Sequence, residues 1–187
     1  KSSKNVPNTT YSSARKAQYD IYYDMFKTHP VIHAAVNKKA AVAVSGGWNF
    51  NGSTTDVEPQ EQHVNFLNEF MRRSNARQLM RLTYMDLDIY GESFWLIIRG
   101  SNEARTPIKA MRLDPRYMNE VVSAGGILSE WKYGPVSTDQ NSIPYRLDEI
   151  IHYKLEDPAD PIRGLSPLHS LQQAVAQDLF AMEYNKN

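Results

Sequence analysis

Residues 93–100, SFWLIIRG, leave this chain fewer choices than any other stretch of it. Aromatic and β-branched residues follow one another there almost without a polar break, the pattern of a short strand buried on both faces or nearly so. IKAMRLD, MNEVVSAG, ILSEWKYG and EIIHYKLE repeat the same short β-prone character downstream, separated by Pro, Gly and Asp turns. SAGGIL, between two of these runs, carries the glycines of a hairpin.

On either side of this block the apolar period changes from strand to helix. THPVIHAAVNKKAAVAVSGG reads as a helix with Thr28 as its cap, Pro30 in the first turn, and Gly46 and Gly47 as its stop. Its Val31, Ala34, Ala35 and Val42 are small enough for close packing against another element. After the polar loop NFNGSTTD, Asp56 is placed to cap a second helix whose apolar stripe is Val64, Leu67, Phe70 and Met71. Ala76, Leu79, Leu82 and Met85 mark a third helix running towards Ile89, and Leu168, Leu171, Val175, Leu179 and Met182 mark a last one after DPADP. The order predicts an α+β fold: N-terminal helices, a central antiparallel β-sheet of short strands, and a C-terminal helix. Residues 1–18 are Ser, Asn, Thr and Lys with few apolar side chains, and predict a flexible arm. YDIYYDMFKTHP then opens the folded domain, residues 19–187, as a docking segment or helix.

Charge narrows the function. The chain has 187 residues, with 21 basic against 21 acidic and a formal net charge of zero. A dedicated nucleic-acid binder normally carries a basic excess, and a neutral surface gives poor protection against self-association, so an oligomer is expected. No Cys is present, which removes disulfide and thiolate chemistry. No apolar run approaches membrane-spanning length, so no membrane partner is expected. The chain starts without Met and stops inside the helical pattern FAMEYNKN, and is read as part of a longer polypeptide.

IRGLSPLHSL (162–171) contains the one serine that resembles a nucleophile. A nucleophile elbow is Gly-x-Ser-x-Gly, whose residue after the serine donates its N–H to the oxyanion; here that residue is Pro167, which has none, and the fifth position is Leu168. Ser166 as N-cap with Pro167 at the first helical position satisfies the local rules instead. His29 and His33 stand four apart, but HPVIH lacks the Glu of H-E-x-x-H and nothing nominates a third zinc ligand. His152 is expected as a half-buried strand residue bonded to backbone, and His63 and His169 as surface or partner contacts. Glu156, Asp157 and Asp160 lack the glycine and spacing of a calcium loop and read as a solvated turn. Asp86, Asp88 and Glu92 read as the polar face of a helix end. Gly46-Gly47 and Gly125-Gly126 lack any phosphate-loop pattern, and the sequons at Asn8 and Asn51 are too short to weigh. No catalytic residue, cofactor site or metal site is therefore assigned. Arg72, Arg73, Arg77 and Arg81 form the densest basic cluster, a possible contact for a partner or for nucleic acid.

Taken in order, DIYGESFWLIIRG, MRLDPRYM, GGILSEWKYG, LDEIIHYKLEDP and GLSPLHSLQQAV resemble the portal proteins of tailed bacteriophages. The resemblance rests on Gly91 before a strand, the Leu113-Asp114-Pro115 turn, a glycine hairpin followed by an aromatic strand, Ile150-Ile151-His152, and the helix start Gly164, Leu165, Ser166, Pro167, Leu168. It spans about residues 77–184, and the helix HPVIHAAVNKKAAVAV fits more loosely. The long stem helix and clip region of the family do not follow, so the resemblance implies the outer, wing-like portion alone. It implies a structural homo-oligomeric ring, typically a dodecamer, at one capsid vertex of the virion, assembled in the host cytoplasm. The implied partners are the large terminase subunit, capsid and head–tail adaptor proteins, and double-stranded DNA passing through the channel. Two other readings stand beside it: an adaptor presenting the arginine cluster to an acidic partner, and a metal-dependent hydrolase built on His29, His33 and the acidic loop.

Overall fold

The computed structural model describes residues 9–50, 57–101, 105–123, 125–135 and 141–184. Among these residues four helices come first: α1 (Thr9–Thr28), α2 (Pro30–Ala43), α3 (Val57–Arg73) and α4 (Ala76–Tyr90). The described residues then form six short strands, β1 (Glu92–Arg99), β2 (Pro107–Leu113), β3 (Met118–Val122), β4 (Leu128–Tyr133), β5 (Ile143–Tyr145) and β6 (Ile150–Lys154). A 3-10 turn, Pro167–Leu171, leads into α5 (Gln172–Tyr184).

The α+β class and the order of elements agree with the sequence, but the strands do not make one central sheet. They form two antiparallel three-stranded sheets, ordered β2-β1-β6 and β3-β4-β5. The reason lies in β1. Its inward alternation puts Phe94 and Leu96 against Trp131 of the second sheet, and Trp95 and Ile97 against Leu79 of α4. A strand buried on both faces needs a layer on each side, and the hairpin β3–β4 supplies one of them. Burying Phe94 completely contributes about 2–3 kcal/mol. β5, with the sequence IPY, is too short and too proline-broken to be read from its pattern. The SAGGIL hairpin is present, with Gly126 at φ 78° and the Ser123 N–H bonded to the Ile127 carbonyl.

The helices pack a second core. Tyr19, Tyr22 and Phe26 of α1 meet Ile32 and Val36 of α2, Ile89 and Tyr90 of α4, and Leu168 and Val175 of the last segment. This corrects the expectation of an arm through residue 18. From Thr9 onward the chain is α1, and Arg15 is paired to Glu120 and to Asp160 at 3.1 Å. Composition underestimated this helix because its stability comes from the tertiary ion pairs and the aromatic stripe that follows. Residues 1–8 lie outside the described residues, as does Asp56, the expected cap of α3.

Two boundaries also move. Thr28 belongs to α1, where its hydroxyl donates to the Asp24 carbonyl at 2.7 Å, and His29 takes the cap position of α2 with Pro30 behind it. Helix α2 ends at Ala43, ahead of Gly46 and Gly47, because the turn begins at Val44. The last helix starts at Ser166 and Pro167 as expected, but its first five residues wind as a 3-10 turn before α5.

Candidate functional site

The motif that suggested a nucleophile lies across the junction between α4 and β1. Gly91 closes α4 in the left-handed region, φ 79°, its N–H bonded to the Leu87 carbonyl at 3.0 Å. Its own carbonyl accepts the Leu155 N–H at 2.7 Å, and the Leu155 carbonyl accepts the Leu165 N–H at 3.3 Å. Gly164 faces Gly91 so closely that a Cβ on either would stand under 3.0 Å from the backbone of the other segment. Two glycines are therefore required by contact, where the sequence alone offers only a turn.

Ser166 is buried. Its hydroxyl donates to the Ile89 carbonyl at 2.6 Å and accepts the Leu168 N–H at 3.0 Å. Both partners are backbone, no base stands beside the oxygen among the described residues, and Pro167 offers no donor for an oxyanion. The segment Gly164 to Leu168 is thus a fastening: a glycine for approach, a serine for the cap, a proline for the first turn, and Leu168 buried in the helical core. Ser166→Ala should cost about 1–2 kcal/mol, read as a lowered urea midpoint, since it orphans one buried carbonyl and one helix N–H.

An ion network grows from the same junction. Glu92, next to Gly91, is fully buried, and Arg163, next to Gly164, is 2% exposed. Glu92 Oε1 accepts from Arg163 Nη2 and from the Tyr19 hydroxyl at 2.6 Å. Glu92 Oε2 lies 3.0 Å from His152 Nε2 and 3.3 Å from the Gly164 N–H. Arg163 Nη1 continues to the Met118 carbonyl at 3.1 Å and to Glu120 at 3.0 Å, and Glu120 in turn takes Arg15. The aromatic core walls this network: the guanidinium sits 5.3 Å from the Trp131 ring centre, and His152 stacks on Phe94 at 4.3 Å. One chain of charge thus ties α1, β1, β3, β6 and the 160s loop together.

Burial pushes the Glu92 carboxyl up, but the Arg163 charge and the hydrogen bonds from His152 and Tyr19 outweigh it and hold the group below the ordinary carboxylate value. A depressed carboxylate contributes stability that is complete above the unfolded value of about 4.3 and is lost as pH falls through the lower folded value. Melting temperature measured against pH should therefore drop for the wild type below about pH 4, and Glu92→Gln should flatten that limb.

A second buried carboxylate stands on the other face of β1. Asp86 of α4 takes a bidentate pair from Arg112 at 2.6 and 2.7 Å and the Ser93 hydroxyl at 2.9 Å. Burial pushes it up to about 6, still ionised at neutral pH beside Arg112. Asp88 is half-buried and paired to Lys39. The expectation that Asp86 and Glu92 form a polar helix face is therefore wrong, and so is the backbone partner expected for His152. A charged residue at an inward position of an apolar strand was the available signal: 92, 94 and 96 share one face, so Glu92 had to be buried and paired.

The remaining sequence candidates do not converge on chemistry. His29 is buried with Nε2 3.5 Å from Asp178, while His33 is exposed and stacks on Phe26 at 4.8 Å. Among the described residues no three His, Asp or Glu side chains gather at metal-binding spacing. Asp157 and Asp160 accept backbone N–H groups of their own loop, as a turn requires. His169 meets the Tyr22 hydroxyl at 2.8 Å. Arg72 and Arg73 share the single carboxylate of Glu69, Arg81 reaches Asn37 at 3.2 Å, and Arg77 is exposed.

The sequence profile of the family described as phage portal protein matches residues 30–187. The chain belongs to that family. The portal-family chain also overlays solved structures: a chain from the virion of a native gene transfer agent particle, at TM-score 0.64 and 17% identity, covers 99% of this chain and is itself covered over 47%. A chain from the neck of an empty gene transfer agent particle computed with C6 symmetry gives TM-score 0.66 and 20% identity, with coverages of 97% and 46%. A neck of the native particle computed with C12 symmetry gives 0.53 and 20%, covering 65% and 36%. The portal-family chain thus spans about half the length of the first two structures it matches. Comparison with curated proteins finds no match. At these identities the overlays establish a shared fold, and the fastening at Gly91 is what holds that fold's last segment in this chain.

Proposed function

We propose that this chain is the wing-like part of a ring-forming portal, the head–tail connector at one vertex of a virion, and that it acts by assembling rather than by making bonds. The observation that carries the reading is the family match over residues 30–187, supported by the overlay of nearly the whole chain on parts of virion and neck particles. In the full-length protein the ring is a dodecamer that conducts double-stranded DNA and seats the large terminase subunit, capsid and head–tail adaptor proteins. Its assembly takes place in the host cytoplasm. A conduit has to let DNA slide, which suits a chain of zero net charge. Arg77 and Arg81 supply a distributed contact to DNA or an acidic partner, since Arg72 and Arg73 are half-neutralised by Glu69.

Electron microscopy and native mass spectrometry of the full-length protein test this directly. Closed cyclic rings are expected, and a strict monomer at micromolar concentration overturns the reading. Within the ring, Arg77→Glu with Arg81→Glu should weaken retention on DNA or on the acidic partner without changing the melting temperature.

A further inference from the structure

Helices α1 and α2 each bury one stripe and leave the opposite one bare. On α2, Ile32, Val36 and Ala40 are buried, while Val31 and Val42 on the other side are 68% and 64% exposed. On the same side Ala35, Lys38, Lys39, Val42 and Ala43 form one open face of the helix. On α1, Tyr19, Tyr22 and Phe26 are buried, and the outward stripe is Ala17, Ile21, Asp24 and Thr28, with Ile21 50% exposed. Ile21, Val31 and Val42 are thus large apolar side chains left exposed on the outward faces of two neighbouring helices.

The two bare stripes fit each other. Read in opposite directions, Ile21, Asp24 and Thr28 of α1 fall opposite Val42, Lys38 and Ala35 of α2, with Ala17 towards the turn that follows Ala43. Spacings of three and four residues then meet spacings of four and three, the layering of an antiparallel helix pair. Ile21 meets Val42, the two largest apolar residues of that register, and Asp24 meets Lys38. Both charges are exposed, and neither has an ion-pair partner within the chain among the described residues, whereas Lys39 is held by Asp88. The small residues Ala17 and Ala35 let the backbones approach. A cyclic ring needs two different, complementary patches on each subunit, because its contacts are head-to-tail.

We infer that the outward stripe of α1 on one copy docks antiparallel on the open α2 face of the next copy, with Ile21 on Val42 and Asp24 on Lys38. The inference rests on the ring reading above and adds the surface that closes it.

The test uses the full-length protein. Val42→Glu places a charge in the apolar seam, at a position too exposed to matter for the fold of the single chain, so circular dichroism and melting should be unchanged. Ring yield at a fixed concentration should fall by about tenfold or more, and adding Ile21→Lys to the same chain should restore it. Independently, Ile21→Cys with Val42→Cys should give a ladder of disulfide-linked multimers under oxidation. Rings formed by Val42→Glu as readily as by wild type, or a cross-link confined to single chains, overturn the inference while the ring itself stands. Wild-type protein that makes no ring is a different failure, because it removes the ring reading itself.

Discussion

Arg163→Met is expected to lower the stability of this domain by about 3–5 kcal/mol, a large part of the 5–15 kcal/mol that folded domains possess. The methionine fills much of the space of the arginine stem, so the loss is electrostatic. Glu92 is fully buried, and without the guanidinium it keeps only Tyr19, His152 and one backbone N–H. Glu120 loses its link to the core at the same time and keeps Arg15. The double variant Glu92→Gln with Arg163→Met should recover part of the loss, because no uncompensated charge remains. Urea denaturation of the four proteins in the cycle measures the coupling. A single-variant loss under about 1 kcal/mol would mean that Glu92 does not depend on Arg163. The large figure is the cost of leaving one charge alone and is no measure of what the intact pair adds to stability.

Gly164→Ala should be at least as damaging, above about 4 kcal/mol, and is expected to prevent folding. The added Cβ would fall well under 3.0 Å from the Gly91 carbonyl oxygen, and neither backbone can withdraw. That carbonyl is committed to the Leu155 N–H, and Gly164 is fixed between Arg163 and the capped Ser166. Two comparisons separate collision from conformational strain. Gly126 has φ 78° and, among the described residues, nothing stands within 4 Å of where its Cβ would be, so Gly126→Ala carries the left-handed strain, about 1–2 kcal/mol. Gly91→Ala combines the same strain, at φ 79°, with contact against the Leu165 carbonyl group and the Ser166 nitrogen. The expected order of loss in far-ultraviolet circular dichroism melts is Gly126→Ala least, with Gly91→Ala and Gly164→Ala far beyond it. A Gly164→Ala protein that melts within a few degrees of wild type would show that the two glycines do not touch.

Both predictions concern residues that stand beside each other only after folding. Gly91-Glu92 and Arg163-Gly164 are about seventy positions apart, and each pair supplies one contact glycine and one buried charge. Local reading shows Gly91 only as a glycine before a strand and Glu92 as a helix-end charge, and it assigns Arg163 no role. The same limit made a flexible arm of residues 9–18, since the partners of Arg15, Glu120 and Asp160, are remote in the chain. The carboxylate partner of His152 likewise lies on the adjacent strand, out of reach of any local pattern.

What the sequence determined by itself is what short-range chemistry controls: the helical and strand periods, the 123–127 hairpin, and Ser166 with Pro167 as a helix start without an oxyanion donor. The ordered set of motifs was also enough to point to the family. Tertiary structure alone decided that the strands split into two sheets around β1, that Gly91 and Gly164 meet backbone to backbone, and that Glu92 and Arg163 are buried as a pair. Period and capping act within a few residues, and the chain carries them wherever it goes. Contact between segments seventy residues apart is a property of packing, because any loop between them can be closed at an entropy cost that hardly depends on which residues finally touch.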